Sequence, residues 1–181
     1  MSDAGGRYQR SMTGMIGAML VTVAVIAAYV VFREANRNDL DVERAPVDYL
    51  AVVQGIQSDG ALPVVYPPRL QEGWRATIVD RVPGEAWSLT MLTPQERFVG
   101  LRQATRSVDQ MVATYVDEEA TEGDPVRLDS PLATSWRTFT DDGGDYALVA
   151  EVEETVVLVV GTAEPEQIRE LAESLVTARV G

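Results

Sequence analysis

Five consecutive apolar residues, Val156 to Val160, sit inside the run TVVLVVGT. Strand side chains alternate between two faces, so an unbroken apolar run must be covered on both sides. This segment therefore predicts a central strand with a further layer against each face of its sheet. The flanking strands show the opposite pattern. Residues 73–82, GWRATIVDRV, alternate through Trp74, Ala76, Ile78 and, more loosely, Asp80. AWSLTMLT alternates through Trp87, Leu89 and Met91. RFVGLRQAT follows a Thr-Pro-Gln-Glu break, which makes Trp87 to Ala104 a β-hairpin with aromatic side chains on both arms. Gly100 within its second arm implies a bulge or a partner packed close.

Helices punctuate these strands. SVDQMVATYVDEEA opens with Ser107 and Gln110 at capping-box spacing and places Val108, Met111, Val112, Tyr115 and Val116 on one face. PVDYLAVVQGIQ begins at Pro46 and turns Val47, Leu50, Ala51 and Gln54 to one side. EPEQIRELAESLVTARV starts with Pro165 in its first turn and carries a stripe of Ile168, Leu171, Ala172, Leu175 and Val176. LPVVYPP, VRLD, TSWRTFT and YALVAEV read as further strands, with DDGGD (Asp141 to Asp145) and Glu153-Glu154 as turns. The predicted order is helix, four strands, helix, four strands, helix. Short connections favour antiparallel pairing, so the expected class is α+β, a mainly antiparallel sheet flanked by helices.

Ahead of this domain, Met12 to Phe32 is a run of 21 residues without a charge. As a helix it would extend about 31 Å, enough to cross a hydrocarbon core. A cleaved signal peptide has a shorter apolar core, and a buried soluble helix keeps a polar face. The run is read as an uncleaved signal anchor. Gly14 and Ala18 offer a small-xxx-small pair for helix pairing. Arg7 and Arg10 precede the run, and Arg33, Arg37 and Arg44 follow it, so charge does not set the orientation. A short tail before a large domain is the usual layout of a signal anchor, with the tail in the cytoplasm. The expected organisation is a tail over 1–11, a plasma-membrane span over 12–32, a polar stalk over 33–45 and an extracytoplasmic domain over 46–181.

Composition narrows the chemistry. The chain has no Cys, no His and no Lys. Disulfides, Cys/His zinc sites, thiol nucleophiles, histidine bases and Schiff-base lysines are excluded. The net charge of −13 and the lack of a basic stripe argue against nucleic acid as a partner. No metal or cofactor is called for.

The runs YPPRLQEGWRAT and WSLTMLTPQERFVGLRQ, together with a single N-terminal span, resemble a domain-of-unknown-function family of actinobacterial single-span membrane proteins. The matching positions are Pro68, Gly73, Trp74, Trp87, Thr93, Pro94, Val99, Gly100, Leu101 and Gln103. These are structural residue types for the most part, so the resemblance implies a family and no activity. The element order also looks like the α/β/α sandwich of Mog1- and PsbP-like proteins, which implies an adaptor or assembly module at the level of fold alone.

Candidate binding residues are Trp87, Phe98, Arg102, Gln103 and Arg106. Arg102, Gln103 and Arg106, with Ser107, lie where a strand gives way to a helix and could hold an anionic group. Surface ion pairing with the many acids is the plainer account. Trp74, Trp87 and Trp136 would form a stacking platform if two of them lined one groove, and otherwise belong to the core. DDGGD lacks the spacing of an EF-hand and reads as a turn. DEEATEGD, Asp117 to Asp124, reads as the solvated end of a helix. The leading functional expectation is a non-enzymatic adaptor or binding module of the cell envelope with an envelope protein as partner. The alternatives are a carboxylate-dependent cell-wall hydrolase, which needs two acids in one cleft, and a small-molecule or lipid carrier, which needs a pocket.

Overall fold

The computed structural model describes residues 47–60, 63–82 and 86–180, together with residues 15–17, 19, 21–23, 25–27 and 29. The chain divides into one unit before Arg44 and a second from Arg44 to Gly181. In the first unit the described residues are helical and exposed. Among the described residues no helix is long and apolar enough to cross a membrane. The expected span over 12–32 is therefore not supported among the described residues, and residues 12–14, 18, 20, 24, 28 and 30–32 of it lie outside them. The tail over 1–11 and the stalk over 33–45 lie outside the described residues.

The second unit holds a seven-stranded antiparallel sheet in the order β1-β2-β3-β7-β6-β5-β4. The strands are β1 (Arg75–Val82), β2 (Ala86–Leu92), β3 (Phe98–Ala104), β4 (Thr121–Arg127), β5 (Ser135–Thr140), β6 (Tyr146–Val152) and β7 (Thr155–Gly161). The helices are α1 (Tyr49–Asp59), α2 (Val108–Tyr115) and α3 (Pro165–Ser174). The α+β class and the antiparallel pairing are as expected. So is the position of TVVLVVGT: β7 is the middle strand of the seven, and every residue in it is buried.

Two apolar layers sandwich the sheet. On one face α1 and α3 supply Val53, Ile56, Ile168 and Leu171, which pack on Leu89, Leu101, Trp136 and Val157. On the other face α2 supplies Val108, Met111 and Val112, which pack with Phe139, Val149 and Leu158. Seven strands are wide, and α2 has only eight residues, about 12 Å of helix. Among the described residues its face of the sheet is thus covered over the central strands and left open toward β1 and β2.

The hairpin closes as read. Thr93 is buried, and its hydroxyl accepts from the amides of Gln95 and Arg97, at 3.3 and 3.2 Å. Gly73, at φ +76°, lies against Pro94 of that turn so closely that a Cβ would come within 2.7 Å of Pro94 Cγ. Gly100 produces no bulge, since β2 and β3 pair without a shift. The close partner is the one realised: a Cβ there would meet Phe98 Cζ at 3.0 Å and Arg102 Cζ at 3.1 Å. The capping box of Ser107 and Gln110 forms, and Pro165 occupies the first turn of α3.

Four local expectations are corrected. LPVVYPP makes no full strand: Tyr66 forms one antiparallel bridge with Val176, and Pro67, lacking an N–H, does not extend it. Helix α3 accordingly stops at Ser174, before the stripe residues Leu175 and Val176. In α1 the buried residues are Tyr49, Val53 and Ile56, not Leu50, Ala51 and Gln54. The run LAVV is apolar all round and leaves the inward face undetermined by pattern. Pro46 lies outside the described residues, and Asp48 caps α1 by accepting from the amide of Ala51 at 3.2 Å. Finally, α2 ends at Tyr115, and residues 121–127 form edge strand β4 where a helix end and the short strand VRLD are expected. Six of its seven residues are exposed, so β4 lacks the apolar alternation that reveals a strand, and Gly123 and Pro125 sit at an irregularity between Gly123 and Val126.

Candidate functional site

A β-bulge decides what faces the open part of the sheet. Pairing of β1 with β2 shifts register between Ala76 and Ile78. Beyond an extra residue, side chains exchange faces. Trp74 and Ala76 enter the α1/α3 core as the alternation predicts. Ile78 and Asp80, expected on the same face, point to the α2 side, and Val82 goes with them. There Ile78 is 40% exposed and Val82 50% exposed.

Register then aligns a polar row across three strands: Asp80 opposes Ser88, and Ser88 opposes Arg102. This row floors a groove of about 260 Å³ whose apolar walls include Val82, Ala86 and Tyr115. Among the described residues Asp80 is the one acid lining it.

Arg102 lies flat on the sheet because Gly100 leaves room for its guanidinium. Its Nη1 donates to the carbonyls of Leu89 and Leu101, at 3.1 and 3.0 Å. Its Nη2 donates to Thr90 Oγ1 at 3.2 Å. The Tyr115 ring caps it from α2, with Cζ 5.6 Å from the centroid, inside cation–π range. Burial pulls the guanidinium below its ordinary pKa, while Tyr115 and Asp80 oppose that shift. Among the described residues no carboxylate lies within ion-pair distance of it.

Gln103, the next residue, does something different. It is 1% exposed and points to the opposite face. Its Oε1 accepts from Val65 N at 2.8 Å and from Trp87 Nε1 at 3.0 Å. Its Nε2 donates to Pro63 O at 2.7 Å and to Thr155 Oγ1 at 3.0 Å. All four hydrogen-bonding positions of the amide are filled. Gln103 is a structural hub that ties residues 63–65 to the sheet, and it is not available to a ligand.

The expected constellation therefore separates. Trp87 and Gln103 belong to the sealed core. Phe98 is half-buried beside Gly100 and joins the α2-side cluster. Arg106 is exposed and does not line the groove. Of the five, Trp87 and Gln103 border the groove from strands whose side chains here turn to the sealed core. Arg102 is the one whose side chain joins the polar row of its floor. Asp80, Ser88 and Tyr115 were not singled out by sequence. The bulge hides Asp80, and pairing register, which sequence does not display, brings Ser88 beside Arg102.

No tryptophan platform forms, since Trp74, Trp87 and Trp136 are all buried in the α1/α3 core. DDGGD is a turn: Asp141 Oδ1 accepts from Asp145 N at 2.7 Å, and Gly144 takes φ +90°. Among the described residues no group of three or more acids is gathered as a metal would require. A second, open depression of about 530 Å³ lies between residues 69–72 and α3; its two acids, Glu72 and Glu170, are exposed.

Residues 7–175 match the family described as Protein of unknown function (DUF4245). No curated protein and no solved structure matches the chain. The expected likeness to Mog1- and PsbP-like sandwiches is not confirmed by these comparisons. With nearly its whole length matched, the chain belongs to the DUF4245 family.

Proposed function

We propose that this DUF4245 member is a non-enzymatic binding module of the cell envelope. In this reading residues 12–32 hold it at the plasma membrane and residues 46–181 lie outside the cytoplasm. The uncharged run of 21 residues supports the anchor. The observation that carries the binding role is the half-covered α2 face, where Ile78 and Val82 stay exposed beside a groove floored by Arg102. Such a surface offers apolar contact together with one directional charge, the usual make-up of a recognition site.

The alternatives have less support. A two-carboxylate hydrolase draws on paired acids held in one cleft. Among the described residues the groove has Asp80, and the two acids of the second depression, Glu72 and Glu170, are exposed. Among the described residues no carboxylate side chain is buried. The groove, at about 260 Å³, is smaller than the roughly 300 Å³ at which pockets for carried molecules begin, and the second depression of about 530 Å³ is an open one beside exposed Glu72 and Glu170.

In-cell crosslinking of the tagged full-length protein tests the module. One stoichiometric envelope partner is expected, lost when Ile78 and Val82 are both changed to Ser. Capture that is unchanged by that pair of substitutions would assign recognition to another surface. Protease accessibility of the domain in intact spheroplasts tests the anchor and its orientation.

A further inference from the structure

We infer that the α2-side groove is a carboxylate site, with Arg102 as the group that grips the anion. This rests on the binding-module reading and names the chemistry recognised. A guanidinium carries five donors. In Arg102 the two on Nη1 are used by Leu89 O and Leu101 O, and one on Nη2 is used by Thr90 Oγ1. Nε–H and the second Nη2–H remain. These two share one edge of the guanidinium plane, the edge on which a carboxylate docks with both oxygens. The three filled donors fix the plane, so a ligand meets a fork that is already oriented.

The surroundings select the kind of anion. Among the described residues the groove's cations are Arg102 and Arg81, and Arg81 is paired with Asp59. Asp80 stands two strands from Arg102 in the same row. One fork facing one acid suits a monoanion and disfavours a dianionic phosphate. The chain's charge of −13 adds to that discrimination. Val82, Ala86 and Tyr115 offer apolar contact to whatever the carboxylate is attached to. A volume of about 260 Å³ matches a short branched aliphatic group. The ligand class is thus a monocarboxylate with a small apolar tail, either the C-terminus of a peptide or a free short-chain acid.

The test uses isotope-labelled full-length protein and the NMR signal of Arg102 Nε–H, assigned by its loss in Arg102→Gln. The probes are N-acetyl-leucine, isocaproate, N-acetyl-leucinamide and inorganic phosphate. Both acids are expected to move the signal saturably, and the amide to leave it in place. Phosphate should bind more weakly than either acid. Tighter binding of N-acetyl-leucine than isocaproate identifies a peptide terminus, and the reverse order identifies a free acid. In Arg102→Gln, affinity followed on backbone amides of β2 and β3 should fall more than about tenfold. Ser88→Glu provides a second variant: it sets the protein's own carboxylate beside the fork and should abolish binding while the backbone spectrum is retained. Absence of a saturable shift with both acids, equal binding of the amide, or tighter binding of phosphate would overturn the assignment. Partner capture that survives Arg102→Gln but is lost in the Ile78/Val82 double variant would remove the carboxylate and leave the binding module standing.

Discussion

The two faces of the sheet treat neighbouring residues in opposite ways. Gln103 lies under α1 and α3, is 1% exposed, and has a protein partner for every donor and acceptor of its amide. Arg102 lies on the half-covered face and keeps donors without a protein partner. A polar group sealed from water is tolerated only when its bonds are all made, because each one missing costs about 1–3 kcal/mol. On the open face water supplies what the protein does not. The difference separates polarity that builds the fold from polarity left over for recognition.

The sharpest way to break this contrast is Gln103→Leu. It strands the buried donors Val65 N and Trp87 Nε1 and takes a partner from Pro63 O and from Thr155 Oγ1, which keeps its bond to Val152 O. The substitution should cost on the order of 4 kcal/mol in urea unfolding. A loss under about 1 kcal/mol would mean that the hub is replaceable. Next is a pair on adjacent outer strands. Leu89→Ala on the sealed face should cost about 3 kcal/mol, and Ile78→Ala on the open face under about 1 kcal/mol. Equal losses would show that the α2 side is covered in solution.

Gly100→Ala sharpens the open side. Its methyl would crowd Phe98 Cζ and Arg102 Cζ, both at the mobile ends of their side chains. A cost of about 1 kcal/mol is expected, with the Arg102 Nε–H signal displaced. Arg102→Met should fall within about 1 kcal/mol of the parent, since a half-buried cation without a carboxylate gives up desolvation as well as bonds. The smallest effects come from two surface carboxylates, exposed Glu122 and part-buried Asp145, and read out in pH. Arg137, hydrogen-bonded to Glu122, holds that carboxyl below its usual range. Its contribution is present above the unfolded Glu pKa and is lost as pH falls through the folded value. Partial burial, with Asp141 nearby, pushes Asp145 up. Its contribution is present below the unfolded Asp pKa and is lost as pH rises through the folded value. Glu122→Gln should therefore flatten the acid limb of a stability profile, and Asp145→Asn should steepen it.

Features that depend on neighbouring residues were legible in the sequence. TVVLVVGT announces the central strand, Ser107 and Gln110 announce a helix start, and Thr-Pro-Gln-Glu announces the hairpin. Features that depend on distant chain were not. Strand β4 is exposed and acidic, and it is a strand because β5 pairs with it. The bulge that turns Asp80 outward leaves no mark in residue type. Of the site, Arg102 could be named from its chemistry. Its separation from Gln103 follows from strand alternation once the strand is known, whereas Ser88 and Asp80 needed the register. The family-matching positions have structural explanations: Gly73 admits Pro94, Thr93 closes the turn, Gly100 admits Arg102, and Gln103 is the hub.

Strands β1 to β3 form one meander and β4 to β7 another, and only the β3–β7 pairing joins them. Ala104 and Val156 meet across that seam with roughly fifty residues of chain between them. Each meander can zip by local contacts, but the seam must close a long loop before any bond rewards it. Joining the halves is thus the step that sets the pace of refolding. Leu101→Ala, at the seam, should slow the refolding arm of a stopped-flow chevron. Phe139→Ala, away from it, should chiefly quicken unfolding.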